Sequence, residues 1–195
     1  DFVPPQGVAT LPVYIGTAPV NQLSDFSNAV NKPLLILSYQ DGVNKIGYNE
    51  DWMNFTLCEA LYAHFKNNIQ PIGPIVVINV LDPTTHKKDG TATVEMTNGI
   101  GYVENKNIIL KTVESPTVGV TIDTDFTVEY STDGEKIIVK AITELVGASL
   151  ELTFEEIDMT NVDDTTIIGG IDTDGVKTGV EAIDLIYQTY NMIPT

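Results

Sequence analysis

The chain has 195 residues, 43% hydrophobic and 19% charged, a composition typical of a folded globular protein long enough to bury a core. Ten basic residues against 27 acidic ones give a net charge of −17, which would repel the phosphates of DNA or RNA, so we expect no nucleic-acid partner. A single cysteine, Cys58, provides neither an intramolecular disulfide nor a thiolate metal site, and no apolar run approaches the ~18 residues of a membrane span, so we expect no membrane partner.

The N-terminal part of the chain predicts two short strands. The first segment, DFVPPQG, lacks the features of a signal peptide and does not begin with Met, so we expect a processed or truncated piece of a longer protein. Leu11–Ile15 predicts a strand that is stopped by Gly16 and Pro19. Leu34–Leu37 predicts a second strand, and Asp41-Gly42 predicts a turn after it.

The segment NEDWMNFTLCEALYAHFKNN predicts a helix, because apolar residues recur along it at helical spacing. The predicted buried stripe consists of Met53, Leu57, Ala60, Leu61 and Phe65. We expect Glu50 and Asp51 at the positively polarised start of this helix.

The segment GPIVVINVLDP follows and predicts a strand buried on both faces. Six of its eleven residues are Ile, Val or Leu, and Asn79 is its only polar residue before Asp82. Such runs are typical of the centre of a parallel sheet. The order strand, strand, helix, strand therefore favours a layered α/β domain.

After Pro83 the periodicity changes from helical to alternating. TTHKKDG predicts a polar loop, and TATVEM, IILKTVE, TVGVTI, FTVEYS, EKIIVKAI and SLELTFEEI are short runs typical of strands. FTVEYSTDGEKIIVKAI predicts a hairpin with its turn at Asp133-Gly134. These runs predict an antiparallel β-module, sandwich or barrel-like.

The last segment, TTIIGGIDTDGVKTGVEAIDLIYQTYNMIPT, returns to the first pattern. Ile167-Ile168 predicts a strand end, Gly169-Gly170 a turn, and Thr178 with Glu181 a capping box. One helical face carries Val180, Ile183, Tyr187 and Tyr190. This helix is a candidate for the crossover of the first sheet.

The two changes of periodicity predict the domain organisation. We expect an α/β (or α+β) core domain made of residues 1–88 and 166–195. An antiparallel β-domain, residues 89–165, is expected as an insertion into it, and its length of about 75 residues is ordinary for a domain.

Few residues suggest catalysis. GTAPV and GIGYVEN are incomplete phosphate-binding patterns, and Ser149 in VGASLE lacks the second glycine of a nucleophile elbow. Cys58 and His64 are six residues apart, about 600° of helix rotation, so they lie on opposite sides of the helix. We interpret Cys58 as a packing residue, His64 as a surface or interface residue and His86 as a solvated loop residue. Two histidines in different segments make no metal site by spacing.

Three acidic segments, DTDF, DTDG and NVDD, resemble fragments of calcium loops. Their candidate ligands are Asp123, Asp125, Asp172, Asp174, Asn161, Asp163 and Asp164. Counted from Asp172, position six is Lys177 and position twelve is Ile183, so the EF-hand pattern fails, although another calcium geometry or a carboxylate pair for glycoside hydrolysis stays open. We interpret these acids as turn residues and predict no catalytic, cofactor-binding or metal-binding residue, no cofactor and no small-molecule substrate.

Four segments together resemble the N-terminal portion of contractile phage tail sheath proteins of the kind encoded by prophages of Gram-positive bacteria. These segments are LPVYIGTAPV, NKPLLILS, GPIVVINVLDP and TTIIGGIDTDGVKTGVEAIDLIYQTYNMIP, and the β-module between them also fits the family in type. Members of that family continue well beyond the position of Pro194 into further core sheet and a C-terminal domain.

The resemblance implies a structural subunit without catalytic activity. Its partners would be other sheath subunits, in a helical stack of hexameric rings, and the tail tube protein that this cylinder drives through a host envelope when it contracts. The resemblance places the protein in the virion tail, assembled in the host bacterial cytoplasm. Because the family's C-terminal domain exchanges strands between neighbours, we expect this piece to be predominantly monomeric or weakly self-associating.

Two alternatives stay open from the residues themselves. One is an enzyme on a doubly wound α/β core, with Asp82, Asp172 and Asp174 beyond the carboxyl end of Val76–Leu81. The other is a binding module in which the β-domain holds a sugar or a cation.

Overall fold

The computed structural model describes residues 11–194 and has a mixed α/β architecture of several small sheets and few helices. Residues 1–10, which include DFVPPQG and the start of the expected core domain, and Thr195 lie outside the described residues. The strands are β1 (Val13–Gly16), β2 (Pro33–Ile36), β3 (Ile75–Asn79), β4 (Lys87–Glu95), β5 (Ile100–Val103), β6 (Phe126–Tyr130), β7 (Ile137–Ala141), β8 (Ser149–Ile157), β9 (Gly169–Ile171) and β10 (Lys177–Gly179). The α-helices are α1 (Tyr39–Ile46), α2 (Thr56–Phe65), α3 (Asp164–Ile168) and α4 (Leu185–Tyr190). Short 3-10 helices occupy Val20–Gln22, Leu110–Thr112, Glu144–Val146, Met159–Asn161 and Val180–Asp184.

Strand β3 is the centre of the first sheet, whose order is β1-β3-β2. All five of its residues are buried, as its apolar run predicts. The parallel surroundings that the run suggests are present on one side only, because β1 is parallel to β3 whereas β2 is antiparallel. The first sheet is therefore mixed.

Asn79 ends β3 and is fully buried. Its carboxamide oxygen accepts hydrogen bonds from the backbone N–H groups of Ala18 and Leu81. Its amide nitrogen donates to the backbone carbonyls of Ala29 and Leu81. One side chain thus satisfies the backbone of three loops at the carboxyl ends of β1 and β3.

The turn predicted at Asp41-Gly42 is wrong, because this pair lies inside α1. The hydroxyl of Ser38 accepts a hydrogen bond from the N–H of Asp41, which caps the helix and starts it two residues before the pair. Gly42 has a packing role here, since a Cβ at this position would lie 2.6 Å from a methyl carbon of Leu61. The glycine therefore permits the close approach of α1 and α2.

Helix α2 carries four of the five residues of the predicted stripe, and all four are buried: Leu57, Ala60, Leu61 and Phe65. Met53 precedes the helix and is 94% exposed, so its place in the stripe is wrong. Glu50 and Asp51 are not at the helix start either. The carbonyl of Asp51 accepts hydrogen bonds from the N–H groups of Asn54 and Phe55. Because these residues form a turn, the helix begins only at Thr56.

Strands β4 to β8 form two antiparallel sheets, of order β4-β8 and β5-β7-β6, which we call the β-module. The predicted hairpin is confirmed as β6 and β7, with Gly134 at positive φ in its turn. The polar loop predicted at TTHKKDG is shorter, because Lys87 already pairs with Ile157. IILKTVE and TVGVTI are not strands: Leu110–Thr112 is a 3-10 helix, and Val118 is fully exposed beside Gly119 at positive φ.

The apolar clusters follow this division. The largest cluster of the β-module is built from β4 to β8 and the segments between them, and includes Val94, Phe126, Val139, Leu152 and Phe154. A second cluster joins α1 and α2 to Ile75 and Val77 on one face of β3, and a third places Ile186 against Val76 on its other face.

The C-terminal segment departs most from its predicted elements. Ile167 and Ile168, which were expected to end a strand, lie in α3. The turn expected at Gly169-Gly170 is part of β9, and Thr178 of the expected capping box lies in β10, which pairs with β9 as a hairpin. The reason is a close backbone approach, because a Cβ on Gly179, which has positive φ, would lie 2.3 Å from the carbonyl oxygen of Ile167. Ala182 and Ile186 are the buried residues of the following helical turns, whereas Val180 and Tyr187 are exposed.

Helix α4 does not act as a crossover between described strands. Its Tyr190 hydroxyl donates to the carbonyl of Pro33 and accepts from the N–H of Leu35, so it covers the outer edge of β2. Within residues 11–194, no helix is long and apolar enough to span a membrane.

The buried amide of Asn79 generates a stability prediction. Replacing Asn79 by Ala leaves two buried N–H groups and two buried carbonyls without this partner, so we expect a loss of about 3 kcal/mol or more in the free energy of unfolding. Urea unfolding followed by circular dichroism measures it. Asn44→Ala, on the exposed face of α1, serves as the control with an expected loss under about 0.5 kcal/mol. Equal losses in the two variants would contradict this role of Asn79.

Candidate functional site

The structure places Cys58 and His64 in packing roles. Cys58 is fully buried, and burial raises the pKa of its thiol to about 12, so it is not a nucleophile at neutral pH. His64 Nδ1 lies 2.8 Å from the carbonyl oxygen of Ile72 and must carry the proton there, so Nε2 accepts from the Tyr14 hydroxyl at 2.7 Å. His64 therefore ties α2 to β1.

His86 and Ser149 do not meet a catalytic partner in any described contact. His86 is half-buried rather than solvated, and its Nδ1 accepts a hydrogen bond from the N–H of Asp82. It organises the turn that leads from the first sheet into β4. Ser149 begins β8, as predicted, and lies opposite Glu95 of β4 on an exposed position.

The three acids of the enzyme alternative are turn residues in two separate turns, Asp82 in one and Asp172 with Asp174 in the other. The carboxylate of Asp82 accepts from the N–H and the hydroxyl of Thr84. The carboxylate of Asp172 accepts from the N–H groups of Asp174 and Val176, at 2.9 Å each, and Asp174 is exposed. Their local hydrogen bonds match the interpretation as turn residues.

The remaining acidic segments also show local hydrogen bonding. Asp125 is 4% exposed, and its carboxylate accepts from the N–H of Thr121 and the hydroxyl of Thr143. Asp163 caps α3, and hydrogen bonds from Thr165 and then Thr166 lower the pKa of its carboxyl. Across the described part of the chain, no three His, Cys, Asp or Glu side chains cluster in a way that could hold a metal ion.

The densest long-range polar contacts lie between the first sheet's loops and the β-module. Asn21 is 3% exposed and donates from its amide to the carbonyl of Lys106, at 3.1 Å, and to the Tyr130 hydroxyl, at 3.0 Å. The Tyr130 hydroxyl donates to the carbonyl of Ile108. Burial raises the pKa of Tyr130, so the hydroxyl stays protonated and remains a donor at every physiological pH. We call Asn21 and Tyr130, together with the charged residues Asp51, Lys106 and Glu135, the junction.

Lys106 is the charged centre of the junction. Its ammonium lies 3.0 Å from the carboxylate of Asp51 and 3.5 Å from that of Glu135, which belong to the two sides. Asn49, 1% exposed, donates to Glu135 at 2.8 Å and accepts from Lys106. A hydrogen bond from Asn54, and after it the Lys106 ammonium, lower the pKa of Asp51.

An apolar cluster also joins the two sides at the junction. Phe55 and Cys58 come from α2 and the turn before it, Ile109 and Ile157 come from the β-module, and Leu81 follows β3. A cation–π contact adds to it, with the Lys111 ammonium 4.0 Å above the centre of the Phe26 ring. The β-module is therefore joined to the first sheet by polar, charged and apolar contacts together.

A cleft of about 570 Å³ opens beside the junction, between α1 and the turn of the β6–β7 hairpin. Tyr39 and Tyr48 line it with their rings 5.2 Å apart, edge to face. Burial raises the pKa of both hydroxyls, that of Tyr39 to about 12, so neither acts as a base at neutral pH. None of Asp82, Asp172 and Asp174 lines this cleft.

The C-terminal segment exposes an apolar surface. Its large apolar side chains with more than a third of their area exposed are Ile167, Ile168, Ile171, Val176, Val180, Tyr187 and Ile193. Exposed apolar surface of this kind is typical of a contact face. These side chains are therefore candidates for contacts with another molecule.

Sequence reasoning missed the residues of the junction. Asn21, Lys106 and Tyr130 are single polar residues separated by 85 and 24 positions, and no periodic pattern connects them. A weak signal is the isolated Lys106 within VENKNIIL, a basic residue in a strongly acidic chain.

Comparison with known proteins shows a similarity to a curated phage protein. No protein-family model matches the chain. The chain is 29% identical over 183 residues to a protein named tail sheath protein from Burkholderia phage BcepMu. The matched region covers 90% of this chain and 35% of the relative, so the chain spans about a third of the length of the curated relative that it matches.

The charged centre of the junction generates a prediction. Replacing Lys106 by Met removes the cation between Asp51 and Glu135, and we expect the free energy of unfolding to fall by about 1–2 kcal/mol at pH 7. The lowered pKa of Asp51 means that its ionised form stabilises the fold above about pH 4, and this contribution disappears as the pH falls through the lowered value. The difference between variant and wild type should therefore shrink in acid.

The matched control is Lys140→Met. Lys140 pairs with Glu129 on the surface, with both side chains about half exposed, so we expect a loss under about 0.5 kcal/mol at pH 7. Urea unfolding at pH 7 and in acid measures both variants. A Lys106→Met variant as stable as Lys140→Met at pH 7 would contradict a stabilising junction.

Proposed function

We propose that the chain is part of the structural subunit of a contractile phage tail sheath, corresponding to the N-terminal portion of such a subunit. The observation that carries the proposal is the similarity to a tail sheath protein over 90% of the chain. In this function the protein polymerises with other sheath subunits as a helical stack of hexameric rings around the tail tube. Contraction of the stack drives the tube through the host envelope.

The proposal defines partners and location. The partners are other sheath subunits and the tail tube protein, and the protein is carried in the virion tail of a phage or prophage particle after assembly in the host bacterial cytoplasm. It uses no cofactor, nucleic acid, membrane or small-molecule substrate and is not an enzyme. The local hydrogen bonds of Asp82, Asp172 and Asp174 support a structural role for these acids.

The junction supports a force-bearing role. A subunit that transmits force needs its parts to keep their relative orientation under load. Asn21, Lys106 and Tyr130 join the two sides by directional contacts, which fit one arrangement and are lost when the sides slide. We propose that the junction lets the β-module move together with the first sheet.

Charge and the apolar C-terminal segment support assembly on a template. A net charge of −17 keeps free subunits apart at long range, but at ~0.15 M salt this repulsion is screened beyond about 8 Å. Once subunits are held side by side, short-range contacts then determine whether they associate. The exposed apolar side chains between residues 167 and 193 are the surface that we assign to such contacts.

Labelling of particles tests the proposed function. Antibodies raised against this chain should decorate contractile tails along the whole shaft, at regular ring spacing, in lysates of an induced bacterium that encodes it. Negative-stain electron microscopy with gold-labelled antibody provides the measurement, and pre-adsorption of the antibody with the purified chain provides the control. Label confined to capsids or baseplates, or absent from every tail, would overturn the proposal.

We also propose that residues 89–165 form a domain inserted into a core domain of residues 1–88 and 166–195. Two observations support it. The main apolar cluster of the β-module draws its buried residues from positions 94 to 154. The chain enters and leaves the module at one place, where Lys87 pairs with Ile157 and the N–H of Asp158 donates to the carbonyl of His86 at 2.9 Å.

Native-state hydrogen exchange tests the domain division. Phe126→Ala removes a fully buried ring from the β-module and should cost about 3–5 kcal/mol there. We expect faster exchange of amides in β6, β7 and β8, with the amides of β3 changed much less. Leu61→Ala is the reciprocal control, with its main effect on the first sheet. Equal acceleration throughout the chain in both variants would show a single cooperative unit.

A further inference from the structure

The outer edge of β4 is an open strand edge in this fold. The N–H of Met96 donates to the carbonyl of Ala148, and on the far side of β8 Thr153 exchanges hydrogen bonds with Glu114. By the alternation of an antiparallel ladder, the backbone groups of the odd-numbered residues of β4 therefore point away from β8. Within residues 11–194 these groups, from Asp89 to Thr93, have no hydrogen-bond partner.

Two other strand edges are bonded within the chain. Tyr190 bonds to the outer edge of β2, and the segment from Asn107 to Glu114 bonds to the outer edge of β8. Strand β4 is nine residues long, and Thr91, Thr93 and Glu95 on its outer edge are exposed. An exposed edge of this length is a ready template for another strand.

We propose that the β4 edge binds the β4 edge of a second copy of this chain, antiparallel and centred on Thr91. In this register the odd-numbered backbone groups of the two copies face each other and complete a ladder across a two-fold axis. Lys87 of each copy then lies opposite Glu95 of the other, and Asp89 lies opposite Thr93. In-register parallel pairing would oppose Lys87 to Lys87 and Glu95 to Glu95, which is unfavourable.

The charge pattern is what commits the edge to a second copy. The strand begins with two basic residues and one acidic one, Lys87, Lys88 and Asp89, and ends with the acidic Glu95, with five uncharged residues from position 90 to 94. Lys87 pairs with Glu155 on the solvent face of the sheet, which is the face that Glu95 of the second copy joins. Two β4 strands are therefore complementary to each other when antiparallel.

This contact is distinct from the proposed sheath assembly. A stack of rings in which all subunits have the same orientation along the axis is polar, whereas an antiparallel pair of identical strands has a two-fold axis. The β4 pair is thus a state of the unassembled chain, and it can be tested on the purified chain whether or not the sheath function holds.

Cross-linking at the two-fold axis tests the pairing. Directly opposed residues in a hydrogen-bonded antiparallel pair have Cα atoms about 5.5 Å apart, within the ~4.4–6.8 Å range of disulfides. Under mild oxidation Thr91→Cys should form a disulfide-linked dimer at least tenfold faster than Thr132→Cys, a matched change in the exposed hairpin turn. Cys58 does not interfere, because it is fully buried. Equal rates for the two variants would overturn the proposal.

Sedimentation of the chain over a concentration series provides an independent test. Wild type should show a concentration-dependent monomer–dimer equilibrium. Thr91→Lys places two like charges on the axis and should raise the dimer dissociation constant at least tenfold, whereas Thr132→Lys should leave it unchanged. Circular dichroism confirms that both variants fold. A wild-type chain that stays monomeric at every concentration, or an association that Thr91→Lys leaves unchanged, would overturn the β4 pair.

Discussion

The burial of β3 on both faces determines how the rest of the chain must run. Ile75 and Val77 pack against α1 and α2, whereas Val76 packs against Ile186 from the C-terminal segment. Part of the cover of this second face, Ile186, therefore comes after the β-module in sequence, whereas Leu11 comes before β1. Because β4 and β8 are paired, the chain leaves the first sheet and returns to it at one place, so the module extends the protein without separating β3 from its cover.

The junction then fixes how the β-module is oriented. Apolar contacts, such as those around Leu81 and Ile109, are strong but permit sliding, because dispersion and the hydrophobic effect have little directionality. Buried amides and charges are costly to separate from their partners, so Asn21 and Lys106 restrict the two sides to the arrangement in which their donors are satisfied. Fixed orientation follows from the polar contacts, and adhesion follows from the apolar ones.

The predictable elements were those determined by local periodicity. Strand β3, the β6–β7 hairpin and β8 follow directly from continuous burial or alternation. The failures lie where a side chain competes for the local backbone, as when Ser38 caps a helix across the turn expected at Gly42. The junction was beyond prediction, because Asn21, Lys106 and Tyr130 acquire their roles only when distant loops meet. Local turn roles for Asp82 and Asp172 were predictable, because Asp bonds to backbone two residues on.

The covering of strand edges separates two kinds of association. Parts of the edges of β2 and β8 are bonded within the chain, by Tyr190 and by the segment from Asn107 to Glu114, so the backbone groups bonded there are not available to a neighbour. Contacts in a polar stack must be heterologous, between two different surfaces of each subunit. A self-complementary edge such as that of β4 pairs with the same edge of another copy, so the contact is complete with two copies. A chain engaged through β4 therefore forms a closed pair there, and growth into an extended assembly has to use other surfaces.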